Sequence, residues 1–196
     1  MANAAAISHV SESLRSVLTT AITDAGPFAG TAIDLRSPQD IGTPAAGVNV
    51  MSLWLYQVER FGDLENAPPR QTPDGRLIPS PLPLKLLYLL TPLSADVVTT
   101  HRLLGFGMQA MHAQSRLGPE FTHVDLMGEG EEPLAVHMQK HTFEDSLRIW
   151  QAMGQPYRLS VPYAVQFVAI ESSRSMPAAG PVIDRQAEYQ QIVGVS

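Results

Sequence analysis

Six histidines and a scatter of carboxylates are the residues of this chain best suited to catalysis or metal binding, and their spacing works against both. His101 and His112 stand a near-integral number of turns apart in one helical pattern, with no H-E-x-x-H type carboxylate arrangement between them. His137 and His141 straddle the expected end of a strand, so their four-residue spacing does not put both rings on one helix face. A zinc site or a Ser–His–acid triad needs converging groups, and nothing in the pattern predicts convergence. Asp34, Glu59, Asp63, Glu65, Asp125, Glu144 and Asp145 offer no preferred acid/base pair. Gly105-Phe106-Gly107 lies inside a helical pattern and not at a strand-to-helix turn, so it is no dinucleotide fingerprint, and no P-loop is present. The expectation is therefore no catalytic residue, no cofactor and no metal.

Composition narrows the classes further. With no cysteine among 196 residues, disulfides, thiolate metal sites and cysteine nucleophiles are all excluded. Thirteen Lys and Arg against 19 Asp and Glu leave a net charge of −6, which argues against phosphate-backbone binding, since that affinity comes largely from basic side chains. The first residues lack a basic segment followed by an apolar one, so no signal peptide is expected. No run approaches the ~20 apolar residues of a membrane span. The apolar content of 44% suffices for one core, and the length suits a single α/β domain with a mixed sheet and flanking helices.

The elements follow from periodicity. Ile7, Val10, Leu14, Val17, Leu18, Ala21 and Ile22 form the apolar stripe of a helix, with Ser8, Ser11, Glu12, Arg15 and Thr19 on its polar side and Gly26-Pro27 as its stop. Thr31–Arg36 is extended, and Ser37–Gly47 reads as a loop. Val48–Val58 is apolar at both parities and reads as a strand covered on both faces. Arg60–Ser80 is a polar, Pro-rich loop of roughly 20 structureless residues, a length that suggests disorder or a binding role. Leu82–Leu90 is a second apolar strand ended by Thr91-Pro92. Ser94 is the expected N-cap of a helix whose buried stripe is Val97, His101, Leu104, Met108 and Met111. Phe121–Met127 and Pro133–Gln139 read as a hairpin around the acidic turn Gly128–Glu132. Thr142-Phe143-Glu144-Asp145 resembles a capping box opening a third helix, and Tyr163–Ile170 is a strand. Trp54, Tyr56, Tyr88 and Trp150 read as core packing. Residues 1–171 form the domain and 172–196 a tail. Its run Tyr189-Gln190-Gln191-Ile192-Val193-Gly194-Val195 is either a frayed terminus or a strand-exchange arm for a neighbour's open sheet edge.

Several segments carry a resemblance when taken in order. They are the first helix, Leu53–Val58, Leu64–Pro68, Pro81–Pro92 with its Tyr-Leu-Leu-Thr-Pro ending, His101–Gly105, Asp145–Trp150 and Leu159–Tyr163. Together they resemble the cap, or tail-terminator, proteins of phage-tail-like contractile injection systems of the antifeeding prophage and Photorhabdus virulence cassette type, over about residues 7–171. The resemblance implies a structural protein and not an enzyme. It implies a homohexameric ring on the distal end of the particle that terminates the inner tube and anchors the last sheath ring. The implied partners are further copies of the chain, the tube protein and the sheath protein, with no nucleic acid and no membrane span. The implied location is the cytoplasm, within an assembled particle that is later released. A baseplate or tube-adaptor subunit of the same particle is the alternative, and an unrecognised enzyme a more remote one. A closed ring needs head-to-tail contacts between unlike patches. These are expected at Glu65, Asn66, Pro68 and Arg70 in the long loop, Glu129 and Glu131 in the acidic turn, and Tyr189, Ile192 and Val193 in the tail.

Overall fold

The computed structural model describes residues 4–24, 26, 28–62, 70–71, 76–126, 133–171 and 176–177. Helix α1 spans Ala6–Leu18 and continues as a wider π turn over Thr19–Asp24. Its stripe is as expected, with Val10, Leu14, Val17, Leu18 and Ile22 all at most 2% exposed. Ser11 is a correction: it faces inward, because its hydroxyl finds partners inside the protein at Ile7 O and the Tyr88 hydroxyl.

Strand β1 (Ala32–Asp34) leads to a four-residue helix, α2 (Pro38–Ile41), where a loop was expected. Ser37 caps it by accepting from Asp40 N–H, and Pro38 occupies the first turn. Strand β2 (Val50–Arg60) is buried on both faces only over Val50–Leu53. Its second half runs out past the covering helices, so two-sided burial holds for the first residues alone.

The 60–80 segment is not structureless. Strands β3 (Arg70–Gln71) and β4 (Arg76–Ile78) pair antiparallel, and β4 also pairs with β8 (Met176–Pro177) to make a small second sheet. Strand β5 (Leu82–Leu93) does not stop at Thr91-Pro92. On the side of strand β7 (Val161–Ile170), the last pair of β5 is Leu90 with Val161, and Pro92 lies beyond it. The missing N–H of Pro92 thus falls where β5 has no neighbour, while pairing with β2 continues through Pro92–Met51 and Leu93–Val50.

Helix α3 spans Val97–Ala113, and its N-cap is Asp96, not Ser94: the carboxylate accepts from Thr99 N–H at 2.6 Å. Its buried face is Leu103, Leu104, Gly107, Ala110 and Met111, while Val97 is 67% exposed and His101 is exposed. The expected stripe is therefore rotated. The helix approaches the sheet through Gly107, where an added Cβ would lie 3.1 Å from Met51 Cε and 3.2 Å from Leu90 Cδ2. Among the described residues 121–126 no strand forms, and Met127 lies outside them. Val124–Leu126 is one 3₁₀ turn, and Thr122 bonds back to the Gly118 carbonyl. Strand β6 (Ala135–Met138) thus has no hairpin partner and pairs with β7 instead. Helix α4 (Phe143–Ala152) opens on a true capping box between Thr142 and Asp145.

The main sheet has the order β1-β2-β5-β7-β6, with β1 parallel to β2 and every other pair antiparallel. It is the mixed, helix-flanked sheet expected from the sequence. One face carries α1 and α3 over a continuous core that includes Leu14, Leu18, Met51, Leu86, Leu90, Leu103 and Val165. The other face carries α4, whose Trp150 packs on Leu89 and Met153, with Trp54 and Tyr56 alongside. A bulge in β7 puts Phe167 in the left-handed region at φ 66°, and its ring meets Phe61 edge-on at 5.5 Å.

Candidate assembly surfaces

The candidate contact residues fall almost entirely outside the described part of the chain. Glu65, Asn66, Pro68, Glu129, Glu131, Tyr189, Ile192 and Val193 lie outside it, and Arg70 is described only as a backbone position in β3, paired with Ile78. The remaining surface must be read from the fold.

The first feature is a polar groove beside α4. Tyr56, Gln57, Glu59, Lys85, Lys140, His141 and Arg148 line a recess of about 360 Å³. Its charges are largely engaged locally: Lys85 pairs with Glu59 at 3.4 Å, and Arg148 with Glu144 at 2.7 Å. His141 Nε2 lies 3.4 Å from the Tyr56 hydroxyl. Burial, helped by Glu59 and Asp145, pushes that hydroxyl up to about 12, so Tyr56 is a neutral hydrogen-bonding group at any physiological pH. Side chains tied to one another in this way form a polar surface.

The second feature is the sheet end where β5 meets α3. Pro92, Leu93, Val97, His101 and Leu159 line a depression of about 420 Å³, closed on one side by a hydrogen bond from Arg158 to the Thr43 hydroxyl at 3.1 Å. Val97, Val98 and Leu159 are 67%, 64% and 41% exposed, an apolar rim at the start of a helix. Periodicity assigns Val97 to the core, so this rim emerges only with the rotation of α3.

The third feature is the β6 edge. Beside it, Met108, Met111, His112, Ser115, Val136, Met138 and Tyr163 line a mainly apolar groove of about 270 Å³. His137, on the same strand, is held below the usual imidazole range, first by burial and then by the positive charge of Lys85, and it lies 3.2 Å from the Gln139 side chain. Among the described residues, no group of three or more His, Asp or Glu is placed to hold a metal ion. No helix is long and apolar enough to cross a membrane, again among the described residues.

Comparison with known proteins places this arrangement. A family model described as the Pvc16 N-terminal domain matches residues 9–184. The fold is similar to the solved sheath/tube terminator of an extracellular contractile injection system, PVC, in its extended state, with a TM-score of 0.68 at 19% identity. That match covers 97% of this chain and 65% of the other. It is also similar to the tube-terminating cap of the anti-feeding prophage, with a TM-score of 0.62 at 20% identity over 92% of this chain and 60% of that one. The chain thus spans less than two thirds of either terminator. No curated protein sequence matches it.

Proposed function

The chain belongs to the Pvc16 N-terminal domain family, and we propose that it works as a structural cap at the distal end of a contractile injection particle. In this role it terminates the inner tube and anchors the last ring of sheath, and it catalyses no reaction. Copies of the chain form a closed ring, which we take to be a homohexamer. The ring assembles in the cytoplasm on a particle that later leaves the cell.

The observation that supports this reading is the extent of the likeness. Two terminators align over 97% and 92% of this chain. The physics of termination suits the surface found. A subunit that closes a cylinder must offer two unlike patches that meet around a ring, and each stable contact buries roughly 1,200–2,000 Å² in total. The apolar rim of Val97, Val98 and Leu159 and the groove at β6 lie at different parts of the sheet, as head-to-tail contacts require. The segment around Glu65, Asn66, Pro68 and Arg70, together with Glu129 and Glu131, supplies further contacts to neighbours and tube in this reading.

Electron microscopy of particles made with and without this chain tests the role. Loss of the chain is expected to give tubes of unregulated length that lack the distal density. Particles of unchanged length distribution with an intact distal end would defeat the proposal.

A further inference from the structure

The chain from Arg36 to Asn49 is anchored at both ends and loose between them. At the near end, Ser52 Oγ donates to the Arg36 carbonyl at 2.8 Å, and Ser37 caps α2. At the far end, the Asn49 carbonyl accepts from Ala32 N–H at 3.3 Å, just before β2 begins. Among the described residues, 43–48 make one main-chain hydrogen bond, from Val48 N–H to the Ala45 carbonyl, and it closes a turn within the segment. The one bond tying these residues to the rest of the protein runs from Arg158 Nη2 to the Thr43 hydroxyl at 3.1 Å, again among the described residues. Thr43, Ala45, Ala46, Gly47 and Val48 are exposed, and none of residues 42–49 enters either hydrophobic cluster. Chain with so few buried apolar contacts and main-chain bonds lies at the low end of local stability.

Two glycines bracket the segment. Gly42 has φ 74° and ψ −150°, a conformation essentially reserved for glycine, and Gly47 has φ 81°. Nothing lies within 4 Å of a Cβ built at either, so the backbone there has room to rotate. A few positions of this kind are enough to make a hinge. The segment borders the recess at the sheet end: Thr43 lines it together with Pro92, Leu93, Arg158 and Leu159. Leu93 is only 1% exposed. Two residues back on the same strand face, Thr91 is fully buried, and its hydroxyl has no partner among the described residues. Water would satisfy that hydroxyl once this corner opens, which offsets part of the cost of opening. We infer that residues 42–48 are a strap, hinged at Gly42 and Gly47 and latched by Arg158 on Thr43. Closed, it walls the recess; released, it extends the exposed apolar rim of Val97, Val98 and Leu159 to Leu93. The strap belongs to the single chain and needs no ring.

The absence of cysteine makes the test direct. The full-length chain carrying Ala45→Cys and Val98→Cys takes one spin label on the strap and one on α3, both at exposed positions. Electron paramagnetic resonance is expected to show two separations, latched and released. Arg158→Ala and Thr43→Val should each raise the released-to-latched ratio about three- to tenfold, the worth of one hydrogen bond. The two together should raise it no further than either alone, because they cut the same bond. Labels at Val98→Cys and Gln151→Cys, on α3 and α4, should give one separation in every variant. A single 45–98 separation that neither substitution changes would overturn the strap. So would a second separation appearing equally between α3 and α4, since the motion would then belong to the helices.

Discussion

Ser11 on α1 and Tyr88 on β5, 77 residues apart in sequence, share a hydrogen bond of 2.8 Å between buried hydroxyls. The Ser11 hydroxyl donates to the Ile7 carbonyl at 3.0 Å, so Tyr88 is the donor in the shared bond. The pair fixes α1 against the central strand through a polar contact inside an otherwise apolar layer.

The two partners are not equivalent, and mutation should reveal it. Tyr88→Phe removes one bond but leaves Ser11 satisfied by Ile7, a cost of about 1 kcal/mol. Ser11→Ala strands a fully buried phenol hydroxyl, and the cost rises to about 1–3 kcal/mol. Urea denaturation of the two variants should therefore rank Ser11→Ala as the less stable.

The same phenol sets an alkaline limit. Burial pushes Tyr88 up to about 12, against an ordinary value of 10.0. The folded state thus holds the proton more tightly than the unfolded state. This contribution is complete below pH 10 and is lost as pH rises towards 12. Denaturation midpoints across that range should fall more steeply for the natural chain than for Tyr88→Phe, and parallel curves would contradict the assignment.

Gly105 and Gly107, two residues apart on α3, should respond to an added side chain in opposite ways. Nothing lies within 4 Å of a Cβ built at Gly105, so Gly105→Ala should gain most of the ~1 kcal/mol of helix propensity. At Gly107 a Cβ would press on Met51 and Leu90, both fully buried. Gly107→Val should lose about 1–3 kcal/mol by overpacking. Thermal melts of the two variants check the sign at each site.

The contrast also shows where sequence pattern reaches its limit. The α1 stripe, the three long strands and the capping box were legible, because each is a local pattern with a large apolar or hydrogen-bonding signature. The facing of α3 was not, since part of its buried face is Gly107, a residue that carries no hydrophobic signal. The Phe121–Met127 stretch alternates like a strand, but alternation does not say whether a sheet edge is free to receive it, and β7 pairs with β6. The same holds for the assembly surfaces. Val97 joins an apolar rim, and Met138 an open edge, only through the three-dimensional order of helices and strands, which no spacing along the chain encodes.

Trp150 is the anchor of the face under α4. It is 1% exposed, packs with Leu89 and Met153, and donates from Nε1 to the Ser160 hydroxyl at 3.1 Å. Trp150→Ala should cost about 3–5 kcal/mol and release α4 from the sheet. Trp150→Phe keeps most of the volume but leaves Ser160 without its donor, and should cost less. Hydrogen exchange should show lost protection in 143–152 for the alanine variant while α1 and α3 keep theirs. Uniform loss across all three helices would mean that the two faces of the sheet do not unfold separately.

Helix α4 should also report on acid. The Thr142 hydroxyl donates to Asp145 Oδ2 at 2.7 Å and its N–H to the same oxygen at 3.1 Å, while Asp145 N–H donates back to the Thr142 hydroxyl oxygen. These bonds, led by the hydroxyl, hold the Asp145 carboxyl below the ordinary 3.8, with His141 and Arg148 adding in the same direction. The folded state therefore prefers the ionised carboxylate. Its contribution is present above pH 3.8 and is lost as pH falls through the lowered value. Thr142→Ala removes the cap and should destabilise the helix by about 1 kcal/mol at neutral pH. Asp145→Asn keeps the shape but removes the charge. The stability gap between this variant and the natural chain should therefore close as the solution is acidified below 3.8, and a gap of constant size from neutral to acid pH would show that the carboxylate is not what the cap stabilises.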